Sequence, residues 1–114
     1  MTVQRVTPIF TVDDLPSAVQ EHRAVLGLEL VMDLGWIAFL ADSAGAQIGL
    51  MTQDASAPVN PQASVFVDDV EDAYRLAQEA GLEIVHPLTV EAWGVRRFFY
   101  RDSSGTVVNV GMHL

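Results

Sequence analysis

The chain predicts an α+β fold: tandem βαβββ modules forming a partly open, cupped sheet with the helices outside. Three observations predict it. Val12-Asp13-Asp14-Leu15 with Ala18 returns as Val67-Asp68-Asp69-Val70 with Ala73; Gly27-Leu28-Glu29-Leu30-Val31 returns as Gly81-Leu82-Glu83-Ile84-Val85; Asp42-Ser43 with Gly45 returns as Asp102-Ser103 with Gly105. A repeat of roughly 55 residues is one supersecondary unit that buries its apolar face against its twin, so functional positions are expected in pseudo-symmetric pairs.

Each element has a local reason. Gln4 to Val12 alternates with Thr, Ile, Phe and Val and reads as a strand. A helix starts near Asp13-Asp14, with Pro16 in its first turn and Leu15, Ala18, Val19, Val25 and Leu26 at helical spacing, and stops at Gly27. Leu28 to Leu34, Trp36 to Ala41 and Gln47 to Thr52 read as strands separated by Gly35 and the Asp42-Ser43-Ala44-Gly45 turn. Asp54 to Pro61, rich in Ala, Ser, Pro and Asn, reads as a linker. The second module then repeats the order: strand Gln62 to Val67, helix Asp69 to Ala80, and strands Leu82 to Leu88, Val95 to Asp102 and Thr106 to Met112.

At 114 residues the chain is expected to be a single domain, with module 1 at about 1–53, the linker at about 54–61 and module 2 at about 62–114. Cysteine is absent, which excludes disulfides, thiolate metal sites and Cys nucleophiles. No apolar run approaches the roughly 20 residues of a membrane helix and no signal-peptide pattern is present, so a cytoplasmic protein is expected. A formal charge of −9 disfavours nucleic acid and anionic membranes as partners. That acidity either serves solubility or attracts cationic ligands.

The strand-to-helix phrase Val12-Asp13-Asp14-Leu15, the helix exit Val25-Leu26-Gly27-Leu28, and the run Trp93-Gly94-Val95-Arg96-Arg97-Phe98-Phe99-Tyr100-Arg101-Asp102 with Gly105 resemble the vicinal oxygen chelate superfamily. This is the glyoxalase, bleomycin-resistance and dioxygenase group, and the last run is similar to its bleomycin-resistance branch. The resemblance covers essentially the whole chain. It implies, for the enzymes of the group, a divalent metal held by His, Glu or Gln from the first and last strand of each module. Carried residue by residue onto this chain, those stations fall on Thr7, Gly49, Gln62 and Asn109. Such a set is too weak for a divalent ion: none is ionised or an imidazole, and glycine has no side chain. No metal and no cofactor are therefore expected.

Strand alternation separates two faces. One carries Thr7, Ile9 and Thr11; Gln47, Gly49 and Met51; Gln62, Ser64 and Phe66; and Val107, Asn109 and Gly111. It holds no ionised group, which suits a cleft for an organic ligand. The other, with Pro8, Phe10, Ile48, Leu50, Val65, Val67, Val108 and Val110, is apolar and is expected to pack on the helices. The first face could equally be a collapsed core or a dimer surface. Trp36, Trp93, Phe98 and Tyr100 are the further candidate walls, each also a candidate core residue. Arg96 shares a strand face with Phe98 and Tyr100; it either reaches a ligand carbonyl or carboxylate or pairs with an acidic side chain. The expected ligand-binding set is thus Thr7, Ile9, Trp36, Gln47, Met51, Gln62, Ser64, Phe66, Trp93, Arg96, Phe98, Tyr100 and Asn109.

The remaining chemistry-bearing residues read as structural. His22 falls on the first helix's apolar stripe, His86 precedes Pro87 at a bend or edge, and His113 sits at a frayed C-terminus. Asp13-Asp14 and Asp68-Asp69 stand at helix starts and read as caps, not paired catalytic carboxylates. No catalytic residue is assigned. The expected function is metal-independent binding and sequestration of a small organic, antibiotic-like molecule, aromatic or cationic. The resemblance implies a homodimer with two clefts at or near the subunit interface. Two competing readings stand beside it: a glyoxalase-type lyase or isomerase, or an extradiol-type dioxygenase, with its metal or base off the four stations; and a protein-binding module whose cleft its own side chains fill.

Overall fold

The computed structural model describes residues 1–114. The alternating N-terminal segment forms β1 (Val3–Thr11), followed by α1 (Leu15–Leu26), β2 (Glu29–Asp33), β3 (Ile37–Ala41) and β4 (Gln47–Met51). The second half repeats this as β5 (Ala63–Val67), α2 (Val70–Glu79), β6 (Glu83–Glu91), β7 (Val95–Arg101) and β8 (Val107–His113). Both helices start as the Asp pairs imply. The Asp14 carboxylate accepts from the Ser17 amide at 3.1 Å and that of Asp69 from the Asp72 amide at 3.0 Å, satisfying donors that have no partner inside the helix. Gly27 ends α1 with φ of 68°, a left-handed conformation that glycine adopts without a Cβ penalty.

The eight strands form one sheet in the order β2-β3-β4-β1-β5-β8-β7-β6. Within each half the first and last strands pair in parallel, β1 with β4 and β5 with β8, while β1 and β5 join the halves antiparallel. The register preserves the repeat: Ile9 stands opposite Gly49 in one half, and Ser64 opposite Asn109 in the other. The sheet curls far enough that Trp36, from the β2–β3 hairpin, meets Trp93, from the β6–β7 hairpin, edge to face at 5.3 Å between ring centroids.

On the strands beneath the helices the outer faces pack as alternation implies. Leu50 and Leu40 are fully buried with Leu15 and Ala18 of α1; Val67, Phe98 and Val110 bury against Val70, Ala73 and Ala77 of α2. Pro8 and Phe10 of β1, expected to pack on the helices, are exposed instead, because α1 and α2 rest on the strands to either side. Four further details depart from the sequence reading. Val25, placed on the packed stripe of α1, is 82 % exposed, because only the first half of that helix rests on the sheet. Strand β6 runs through Pro87 to Glu91; register shifts between Ile84 and Thr89 leave Pro87, which has no N–H, outside the β7 ladder. The 54–61 segment is not a loose tether. Asn60 donates through Nδ2 to Thr11 Oγ1 and the Thr52 carbonyl, and its Oδ1 accepts from the Asp54 amide at 2.7 Å. Last, His113 belongs to β8, where pairing with Val95 holds it. No helix is long and apolar enough to cross a membrane.

Gly49 is where the first half closes most tightly. A Cβ there would lie 2.5 Å from Ile9 Cδ1 and 3.0 Å from Phe39 Cε1. Gly49→Ala is therefore expected to destabilise the fold by about 1–3 kcal/mol through overpacking. Urea denaturation measures it, and an unchanged midpoint would refute the tight packing.

Candidate functional site

The concave face of the curled sheet encloses a cavity of about 330 Å³, large enough for a two-ring organic molecule. Its walls come from both halves. Thr7 on β1 and Gln47 on β4 are bonded, the threonine hydroxyl donating to Gln47 Oε1 at 2.9 Å. Their neighbours from the other half are also bonded, Asn109 Nδ2 donating to Ser64 Oγ at 3.0 Å. These two hydroxyl–amide pairs meet because β1–β5 pairing sets Thr7 opposite Ser64. Around them stand Met51, Phe66, Trp36 and Trp93, with Met32, Leu34, Ile37, Phe39 and Val95 completing the apolar lining.

Eight of the thirteen expected ligand-binding residues line this cavity: Thr7, Trp36, Gln47, Met51, Ser64, Phe66, Trp93 and Asn109. Ile9 faces the same side but is consumed in packing with Ile37 and Met51. Gln62 precedes β5, and its Oε1 accepts the Val107 amide at 2.7 Å, capping the start of β8. Arg96, Phe98 and Tyr100 lie on the opposite face. Phe98 is fully buried beneath α2, edge to face with Tyr74 at 4.9 Å; Tyr100 packs against the same cluster; and Arg96 pairs with Glu71 of α2. Strand β7 is phased one residue away from the sequence reading, so that Val95, Arg97 and Phe99 point inward.

That phase brings in a charged cluster which sequence reasoning missed, and the expected absence of ionised groups on this face is corrected accordingly. Arg97 lines the cavity, yet its side chain is only 4 % exposed. It donates to both oxygens of Asp54, at 2.9 and 2.7 Å, to Glu91 Oε2 at 3.0 Å and to Ser56 Oγ at 3.0 Å. Its guanidinium lies 5.0 Å from the Trp93 ring centre and 4.8 Å from that of Phe99. The Ser56 hydroxyl donates to Glu91, whose other oxygen lies 3.6 Å from His86 Nε2. His86, read from the sequence as lying at a bend or edge, stands at register shifts of the edge strand β6, but it is buried beside this cluster with its ring tilted against Phe99, 5.2 Å between ring centres. The cluster ties the 54–61 segment to the β6–β7 hairpin that carries Trp93. Asp54 lies far from Arg97 in sequence, so no local motif announces the pair.

A second group lines the same cavity from β8, β5 and β1. His113 lies 4.5 Å from Phe66 between ring centres, and the Arg5 guanidinium sits 4.6 Å over the same ring. Burial, and then the Arg5 charge, hold the His113 imidazole below its ordinary value of 6.5. A neutral ring is what the geometry requires, because Arg5 donates to His113 Nε2 at 3.0 Å.

The cavity polar groups do not fit a divalent metal. Thr7, Gln47, Ser64 and Asn109 are neutral and already bonded in pairs; Asn109 Oδ1 is the one buried side-chain acceptor among them left without a partner, and a single amide oxygen does not hold an ion. Of the four stations carried over from the resemblance, Gly49 offers no side chain and Gln62 is spent on β8. Nowhere are three His, Asp or Glu side chains placed to share a metal.

Removing Arg97 would leave two buried carboxylates facing each other without a cation. Arg97→Leu is expected to cost about 3–5 kcal/mol of stability. Replacing Asp54 and Glu91 by Asn and Gln in the same chain should recover part of that loss, because the uncompensated charge is gone. Chemical denaturation of both variants checks this; a loss below 1 kcal/mol in Arg97→Leu, on the order of an exposed ion pair, would show the cluster to be solvated.

The family described as the glyoxalase/bleomycin resistance protein/dioxygenase superfamily matches residues 3–110. Among solved structures, the chain is similar to one described as an NAD-dependent benzaldehyde dehydrogenase from Legionella pneumophila, with TM-score 0.81 and 16% identity over 96% of this chain and 100% of that one. It is similar to a superfamily member from Vibrio splendidus 12B01, with TM-score 0.74 and 19% identity over 99% and 100%. It is also similar to methylmalonyl-CoA epimerase from Mycobacterium tuberculosis, with TM-score 0.69 and 20% identity over 98% and 87%. At these identities the likeness is one of fold. No curated protein matches the chain. A doubled βαβββ order, a sheet joined through its two first strands and a family match across nearly its whole length place this chain in the glyoxalase/bleomycin resistance protein/dioxygenase superfamily.

Proposed function

We propose that the protein binds and sequesters a small, antibiotic-like aromatic molecule in the cytoplasm without a metal ion. The observation that carries this reading is the cavity itself: Trp36, Trp93 and Phe66 form aromatic walls around neutral hydroxyl–amide pairs. An isomerase or lyase working by proton transfer needs a base within reach of its substrate. No carboxylate lines this cavity, Asp54 and Glu91 behind it are held by Arg97, and the one imidazole on its wall, His113, has its Nε2 lone pair engaged by Arg5. The cationic alternative for the ligand is not carried forward, because Arg5, Arg97 and His113 are the ionisable side chains around the cavity. A homodimer is the proposed assembly. Both helices pack toward the outer strands, which leaves Val3, Val6 and Phe10 of the central strand 54, 59 and 40 % exposed between them, an apolar strip suited to a second copy.

Trp36 and Trp93 are the only two tryptophans, so their emission reports the cavity. Naphthalene-2-carboxamide is expected to change that emission saturably, with the same affinity before and after EDTA treatment. Trp36→Ala should weaken it about tenfold, the loss of about 1.4 kcal/mol of aromatic contact. The absence of a saturable change with this probe and with its carboxylate and ammonium analogues would sink the binding reading, and a chelator-dependent affinity would sink its metal-independent part. Sedimentation tests the assembly: a dimer is expected at micromolar concentration, shifted to monomer by Phe10→Asp, and a wild-type monomer would overturn it.

A further inference from the structure

The protein carries a formal charge of −9, yet no Asp or Glu lines its cavity, whereas Arg5, Arg97 and His113 do. The two arginines differ in what they can still bind. Arg97 is neutralised by the carboxylates of Asp54 and Glu91. Arg75, Arg96 and Arg101 are likewise paired with acidic side chains on the outer surface. Arg23 lies in the last turn of α1, outside the cavity. Arg5 is therefore the one cavity arginine with no carboxylate partner. Its position is nonetheless defined, by the Phe66 ring beneath the guanidinium and by the bond to His113 Nε2, which engages one of its nitrogens and leaves the rest of the fork free.

Resting on the reading that the cavity binds a small aromatic molecule, we propose that Arg5 is its anion-binding residue and that the ligand is an aromatic carboxylate. A planar guanidinium matches a carboxylate through two parallel N–H···O bonds, and charge-assisted bonds of this kind are about twice as strong as neutral ones. The ring system lies among Trp36, Trp93 and Phe66, and the carboxylate reaches toward Arg5 at the β1 wall. The net negative charge opposes an incoming anion only at long range, where salt screens it beyond about 8 Å. Arg5 itself is solvent-exposed, and at contact its charge outweighs that of the distant carboxylates.

Three probes of one size separate the possibilities: 2-naphthoate, naphthalene-2-carboxamide and 2-naphthylmethylammonium, each titrated by tryptophan emission. Naphthoate is expected to bind at least about tenfold more tightly than the carboxamide, as a bond to a charged group implies, and the ammonium compound more weakly than either. Arg5→Gln should abolish the naphthoate advantage, lowering naphthoate affinity at least about tenfold more than carboxamide affinity; Arg5→Lys should retain part of it. Thermal melts confirm that each variant is folded. Equal affinities for naphthoate and carboxamide, an advantage that persists in Arg5→Gln, or preference for the ammonium ion would each overturn the proposal while the binding reading stands. Failure of all three probes to bind would overturn both.

Discussion

The antiparallel pairing of β1 with β5 is the constraint on which the rest of the structure depends. Each half alone has one parallel pair and two edge hairpins, too little to bury both faces of its sheet. Joining the two first strands places Thr7 against Ser64, brings the two polar pairs side by side and sets the curvature that makes Trp36 meet Trp93. Because side chains alternate with a period of two, a slip of β5 by one residue against β1 would turn Ser64 and Phe66 outward and Val65 and Val67 toward the cavity while Thr7 stayed inside. One ladder thus decides the core and the cavity together.

The two halves are held in that relation by different means on the two sides. In the first, Ile9 and Phe39 press over the bare Cα of Gly49, an apolar closure without charge. In the second, the corresponding region is ionic, with Arg97 between Trp93 and Phe99 and anchored to the segment that links the halves. Buried ion pairs of this kind add little net stability over an apolar replacement, but they are exacting about geometry. Their effect here is to fix the 54–61 segment and the Trp93 hairpin with respect to each other.

The element order and the outer core were legible in the sequence because they rest on signals that recur. The Asp pairs, the helix-ending glycines and the turn sequences each occur twice, and Ile48 stands between Gln47 and Gly49 in the alternation of a sheet with one packed face. The face of β7 was not legible. Val95-Arg96-Arg97-Phe98-Phe99-Tyr100-Arg101 carries an arginine and an aromatic on either phase, so alternation has nothing to separate. The register resolves it, since Phe39 stands opposite Gly49 and Phe99 opposite Asn109; the repeat held that signal, but only once the phase of β3 was known. His113 and Arg5 were missed for a related reason. Neither has a companion nearby in sequence, and they meet only because the two ends of the chain lie on neighbouring sides of the cup.

The register makes Ser64 the counterpart of Ile9 and Asn109 that of Gly49, yet one pair is polar and the other is not. Two identical walls would accept an unsymmetrical guest in either of two degenerate poses related by the twofold. Here the walls are unlike: the first half presents the bonded Thr7–Gln47 pair beside a buried Ile9, while the second presents Ser64 and Asn109, whose Oδ1 is still without a partner. On the proposed binding reading the two poses would differ in energy, and divergence between the duplicated halves would turn a two-way receptacle into one that dictates its occupant's orientation.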